Sequence, residues 1–149
     1  MRGGQVQSIT VKHNMEVSHR LSKLPGKCQN IHGHSMWVEM RLMGQVDDRG
    51  LLEGLDFGTV KGLFRGYLDE TYDHHLLLNE SDPLLTMLGT NDYEAFYPGL
   101  VECGDDPTTE HLALWICHWA SDVFTSVAGI HVEVNETHVN QAAYTYWKS

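Results

Sequence analysis

The sequence predicts an α+β domain in which two helices cover one side of a four-stranded antiparallel sheet, in the order β-β-α-α-β-β. Three observations carry this. Polar and apolar residues alternate near 6–12 and again over 32–43, as strands require. Two apolar stripes with three- and four-residue spacing mark helices at about 57–70 and 108–125. Two short segments, 130–136 and about 142–147, close the chain as strands.

Each element has its own local reason. In the first strand Gln7, Ile9 and Val11 alternate with Val6, Ser8 and Thr10, and Leu24-Pro25-Gly26-Lys27 punctuates the loop that follows. In the second, Met36, Val38, Met40 and Leu42 share a face, and Asp47-Asp48-Arg49-Gly50 turns the chain. Asp56 is placed to cap the first helix, whose stripe is Val60, Leu63, Phe64, Tyr67 and Leu68. Gly58, Gly62 and Gly66 weaken that helix, so packing must hold it. The stretch 79–107 is rich in Asn, Asp, Gly and Pro and reads as loop with short helical turns. Asp106-Pro107 opens the second helix, with Leu112, Trp115, Ile116, Trp119, Val123 and Phe124 inward and Cys117 as packing. A four-stranded sheet has open edges, which favours an oligomer.

Size and composition narrow the function. The 149 residues suffice for one compact domain, taken as 1–149. A net charge of -10 without a basic stripe argues against nucleic acid, and no apolar run reaches membrane-spanning length. Met1-Arg2-Gly3-Gly4-Gln5 lacks the apolar stretch of a secretory signal, and Cys28, Cys103 and Cys117 do not form a disulfide pattern, so the expected location is the cytoplasm. Lys12, Arg20, Lys23 and Lys27 fall within sixteen positions, read either as a local positive pocket for a small anion or as solvated lysines and arginine.

His32-Gly33-His34 is the sharpest chemical feature. On a strand both imidazoles leave the same face, and Gly33 permits close approach. His19, across a 12-residue loop, is placed to be the third ligand of a zinc site with an open position. Cys28 is a fourth ligand, a buried small residue, or a nucleophile and base whose thiol loses its proton more easily near a cation such as Lys27. Asp73-His74-His75 fits either a proton-transfer pair or a solvated cluster. Glu136 ends a face otherwise made of Val132 and Val134 and needs a partner there, either a guanidine-like ring edge or an arginine of a neighbouring subunit. Thr108, Thr109 and Glu110 fit a helix cap. Cys103 falls in the loop stretch without comparable company.

Together these pieces resemble the 6-pyruvoyl-tetrahydropterin and 6-carboxy-tetrahydropterin synthase family. The shared motifs are Cys28-Gln29-Asn30-Ile31-His32-Gly33-His34, the upstream Ser18-His19, Gly54-Leu55-Asp56-Phe57, Asp73-His74-His75 with its Leu-rich run to Asn79, Pro107-Thr108-Thr109-Glu110, and Asn135-Glu136-Thr137. They occur in order over about residues 6–147. The chain departs from the pattern at Met15-Glu16-Val17, where relatives usually have a Phe and small residues. A second departure is the long acidic connection between Asn79 and Asp106, which either narrows substrate access or runs outward.

The resemblance implies a tunnelling fold, with three subunits closing a twelve-stranded barrel and two such rings stacking into a homohexamer with intersubunit active sites. It implies one zinc ion per subunit held by His19, His32 and His34, with Cys28 as general base and Asp73 and His74 completing a proton relay. It further implies that Glu136 anchors the 2-amino-4-oxo edge of a reduced pterin triphosphate, helped by Thr108 and Thr109, while Lys27 and its basic neighbours meet phosphates. The compact Cys-X3-His-Gly-His loop and the absence of an extended N-terminus resemble the 6-carboxy branch of queuosine and 7-deazaguanine biosynthesis more than the 6-pyruvoyl branch. The subgroup acting on dihydroneopterin in folate synthesis characteristically has Glu at the position of Cys28. A zinc-stabilised structural oligomer would not need Cys28, Asp73, His74 and Glu136, and a zinc hydrolase of the His-Glu-X-X-His type lacks its motif here.

Overall fold

A computed structural model describes residues 6–89 and 99–148. In chain order the elements are β1 (Gln7–His19), β2 (His32–Gly44), α1 (Phe57–Thr71), β3 (Leu76–Asn79), α2 (Pro83–Gly89), β4 (Leu100–Cys103), α3 (Thr109–Val123), β5 (Gly129–Asn135) and β6 (Gln141–Trp147). The strands form one sheet in the order β4-β3-β1-β2-β5-β6. The α+β class and the tunnelling-fold-like architecture hold, but the expected four strands and two helices are six strands and three helices among the described residues. The sheet is mixed. β1, β2, β5 and β6 pair antiparallel, whereas β3 joins β1, and β4 joins β3, in parallel.

α2 and β4 fall within the stretch 79–107 read as loop with short helical turns, and β3 falls just before it. Leu76-Leu77-Leu78 is a short continuous apolar run whose last two leucines are buried side by side, as a strand covered on both faces allows. Its neighbour β4 takes Cys103 out of the expected loop and buries it, which pushes its thiol up to about 11. Asp92 and Glu94 of the acidic connection lie outside the described residues.

β1 runs seven residues past its expected end at 12. The alternation continues there, with Met15, Val17 and His19 buried between the more exposed Asn14, Glu16 and Ser18. It pairs with β2 along its whole length, from Gln7 opposite Gly44 to His19 opposite His32.

Both predicted helices form. Asp56 caps α1 by accepting from the Thr59 N–H at 2.9 Å. Val60, Phe64 and Leu68 are buried, but Leu63 points outward at 46% exposure, so the apolar face is narrower than the stripe suggested. In α3 the cap is Thr108, whose hydroxyl accepts from His111 N–H at 3.2 Å, so Pro107 stands just before the helix instead of in its first turn. Leu112, Ala113, Ile116, Cys117 and Ala120 turn inward, Trp115 and Trp119 are partly buried, and Val123 is left exposed.

α1 packs over β1, and α3 over β5 and β6. Met15, Met36, Val38, Met40, Leu42, Ile130, Val132 and Val134 form the sheet's side of that core. Trp119 of α3 stacks on Tyr67 of α1 with ring centroids 4.1 Å apart and planes 3° from parallel, which locks the helices to each other. No helix among the described residues is long and apolar enough to cross a membrane.

Phe64 is 1% exposed and packs beside Trp119 at a centroid distance of 6.4 Å. Phe64→Ala is expected to lower unfolding free energy by about 3–5 kcal/mol, read as a shift of the urea midpoint at unchanged slope.

Candidate functional site

The long β1–β2 ladder ends in a histidine pair. His19 closes β1, His32 opens β2 directly opposite, and His34 lies opposite Val17, two residues further along the same face. A Cβ at Gly33 would stand 3.3 Å from the Val17 carbonyl oxygen, so the small residue between the two histidines lets the strands run close. Ring centroids of the three imidazoles lie 4.6–5.2 Å apart. One ring nitrogen from each falls within 4.8 Å of the others.

Two of the rings are oriented by backbone carbonyls. His19 Nδ1 donates to the Pro107 carbonyl at 2.8 Å, and His32 Nδ1 donates to the Asn30 carbonyl at 2.7 Å. A carbonyl only accepts, so both rings carry a proton on Nδ1, and Nε2 is the nitrogen each turns to the others. Burial pushes the His19 imidazole below its ordinary value, and His32 and His34 add to this against the Pro107 bond and Glu136. A neutral imidazole is the form a metal ion takes. His19 Nε2 is buried with no hydrogen-bond partner. An orphaned acceptor of that kind costs about 1–3 kcal/mol, which a metal ion would remove. Three imidazole nitrogens grouped around this orphan fit zinc, whose bonds to imidazole are about 2.0–2.1 Å.

Glu136 follows β5 and faces the trio. Its Oε1 accepts from Thr109 Oγ1 at 3.0 Å and lies 3.8 Å from Nε2 of both His19 and His34. Thr108, expected beside it, spends its hydroxyl as the α3 cap. Beyond Trp37 opposite Asn135, β2 and β5 part. The opening is a cleft of about 790 Å³ bordered by His34, Trp37, Glu136 and Thr137 among others.

Asp73 and His74 leave the end of α1 and are pinned to β1. The Glu16 N–H donates to Asp73 Oδ1 at 2.7 Å, and the His74 N–H donates to the Glu16 carbonyl at 2.6 Å. His74 has φ 59, a conformation uncommon outside glycine. Its Nδ1 bonds Asp73 Oδ2 at 2.6 Å while the ring is 79% exposed. Burial raises the Asp73 carboxyl, but the Glu16 N–H and the His74 ring hold it below its ordinary value. His74, His75 and His34 border one hollow of about 400 Å³. Cys28 is half-buried and Lys27 exposed on a single 3-10 turn, Lys27–Gln29, outside the residues bordering the hollow or the cleft.

Of the two readings of the basic residues at 12–27, a local positive pocket or solvated side chains, the ion pairs speak against the pocket for three of the four. Lys12 pairs with Glu39 at 2.6 Å, Arg20 with Asp82 at 2.9 Å and Lys23 with Asp105 at 2.7 Å. Among the described residues Lys27 alone of the four has no carboxylate partner. The acidic stretch before α3 thus neutralises the basic loop before β2. Asp106, which sequence reasoning treated only as a helix opener, is the buried centre of that contact. It accepts from Ser22 Oγ at 2.8 Å, the Lys23 N–H at 2.7 Å and Asn79 Nδ2 at 3.1 Å. The next residue, Pro107, holds His19. Only the Asp-Pro pair before a helix signalled it in the sequence.

Comparison with known proteins adds an independent line. A family model described as 6-pyruvoyl tetrahydropterin synthase matches residues 8–146. The 6-carboxy-5,6,7,8-tetrahydropterin synthase of Rickettsia bellii is 28% identical over 118 residues, covering 77% of this chain and 78% of that protein. The protein of the same name from Synechocystis is 30% identical over 142 residues, 91% of each. An uncharacterized protein of Wolinella succinogenes has a solved structure with TM-score 0.79 at 19% identity, over 95% of this chain and 98% of that one. A catalytic-residue mutant of Plasmodium vivax 6-pyruvoyltetrahydropterin synthase gives TM-score 0.73 at 17% identity, over 97% and 100%. At such identities the two structures speak for the fold.

The Asp106 network yields a pH signature. Burial raises its carboxyl, but the Lys23 N–H, Ser22 and Asn79 together hold it below its ordinary value. A depressed carboxylate contributes stability above the unfolded value of about 3.9, and loses it as pH falls through the lower folded value. Asp106→Asn is expected to cost about 1–3 kcal/mol at pH 7, and its deficit should begin to shrink as pH falls below about 4. Parallel urea titrations of both proteins from pH 7 to 3 check this.

Proposed function

This chain belongs to the 6-pyruvoyl tetrahydropterin synthase family, and we propose that it converts 7,8-dihydroneopterin triphosphate and one water to 6-carboxy-5,6,7,8-tetrahydropterin, acetaldehyde and triphosphate. The observation that carries the reading is the His19, His32 and His34 trio, with two rings set by carbonyls and one lone pair buried and unmet. The Rickettsia and Synechocystis relatives bearing the 6-carboxy name support the choice of product. On this reading the chain serves queuosine or 7-deazaguanine biosynthesis in the cytoplasm.

His19, His32 and His34 would hold zinc, one ion per subunit. When bound, zinc supplies Lewis acidity toward the oxygens of the pterin side chain. Cys28 takes a proton from that side chain as general base. Asp73 holds the proton on His74 Nδ1, which leaves Nε2 facing solvent to accept or return a proton. On this reading the relay is completed where subunits of a homohexamer meet, and the outward-facing His74 is open to such a partner. Glu136, steadied by Thr109, has its second oxygen left for the 2-amino-4-oxo edge, and Thr108 fixes the helix end beside it. Lys27, free of a carboxylate partner among the described residues, is the cation left to meet phosphate.

Cys28→Ala is expected to keep stoichiometric zinc and lose turnover by at least about a hundredfold. Mass spectrometry of products from zinc-loaded wild type and variant checks both parts. A 6-pyruvoyl product from wild type would move the chain to the triphosphate-eliminating branch, and equal turnover in the variant would remove Cys28 from the chemistry.

A further inference from the structure

Glu136 stands beside two of the three rings that would hold a metal. Its Oε1 is 3.8 Å from Nε2 of His19 and 3.8 Å from Nε2 of His34. Around a tetrahedral zinc with bonds near 2.05 Å, neighbouring donor atoms sit roughly 3.4 Å apart. The carboxylate oxygen is thus within a few tenths of an ångström of donor spacing to both rings. Its position is not left to solvent. Thr109, buried in the first turn of α3, donates to that same oxygen at 3.0 Å and holds it toward the trio.

The charge balance points the same way. Three neutral imidazoles leave a divalent ion with its full charge in a partly buried place, where an adjacent carboxylate is strongly attracted. Two backbone segments set the arrangement. β5 brings Glu136 to the trio through its pairing with β2, and the start of α3 brings both Pro107 to His19 and Thr109 to Glu136. A pure ring-edge anchor would have no need to approach the histidine nitrogens this closely.

We propose that Glu136 is the fourth donor to the metal in the substrate-free protein and yields that position when the substrate arrives. The inference rests on the metal reading above and adds to it a closed resting state. In that state the carboxylate keeps small ligands off the ion. Its release on substrate binding leaves the same group beside the bound molecule, available to a donor edge.

The test uses cobalt(II)-substituted protein, whose visible bands report the ligand set, and imidazole as a neutral probe, so that removing a negative charge does not by itself draw the probe in. Glu136→Gln is expected to bind imidazole at least about tenfold more tightly than wild type and to hold zinc about tenfold more weakly. Thr109→Val, which removes the hydroxyl and leaves every donor in place, is expected to tighten imidazole binding to a smaller degree, and decides the matter if the Gln variant holds no cobalt. Equal imidazole affinity and unchanged bands across wild type and the metal-binding variants would overturn the proposal, even with turnover intact. A wild type that resists imidazole and makes no pterin product would contradict the proposed reaction and leave the fourth-donor role standing.

Discussion

The hydrogen bond from His19 Nδ1 to the Pro107 carbonyl ties the two halves of the site together across 88 positions of sequence. It is buried, so its geometry is not shared with water, and it decides which nitrogen of His19 faces inward. Everything placed around that nitrogen depends on it. The β1–β2 register brings His32 opposite and His34 alongside, while the start of α3, two residues beyond Pro107, brings Thr109 to Glu136. Asp106 secures the same junction from the other side by gathering Ser22, Lys23 and Asn79. A loop, a sheet end and a helix start are thereby held in fixed relation without a disulfide, all three cysteines being free.

The parts of the fold legible in the sequence were those with an unbroken period. β2, β5 and β6 stand within a residue of their expected bounds, and α1 is capped by Asp56 as expected. The second half of β1 was hidden because two of its inward residues, His13 and His19, are polar, although the alternation around Met15 and Val17 is intact. β3 and β4 have four residues each, too short for any periodicity to show. Their parallel pairing is a property of distant chain segments and leaves no local trace.

The site was legible to the extent that its residues are close in sequence. His32 and His34 share a face because a strand has period two, and His19 meets them because its strand pairs with theirs. Charge was misleading for the opposite reason. Arg20 and Lys23 suggested an anion pocket, but their partners Asp82 and Asp105 lie 62 and 82 positions away. The approach of Glu136 to the histidines was equally out of view, since it follows from the β2–β5 register and from a threonine on α3. Asp73 and His74 were visible as neighbours, but not their attachment to the Glu16 backbone, which turns the imidazole outward. Cys28 keeps its motif spacing to His32 while standing on a separate turn.

The claim on which the chemistry rests is that the three imidazoles form one metal site. Zinc-edge X-ray absorption on protein loaded with a single equivalent of zinc, compared with His19→Ala, tests it most directly. The expected result is one zinc per chain bound by three imidazoles at about 2.0–2.1 Å, with one imidazole and at least about tenfold in affinity lost in the variant. Zinc bound as tightly and with the same imidazole shell in His19→Ala would contradict it.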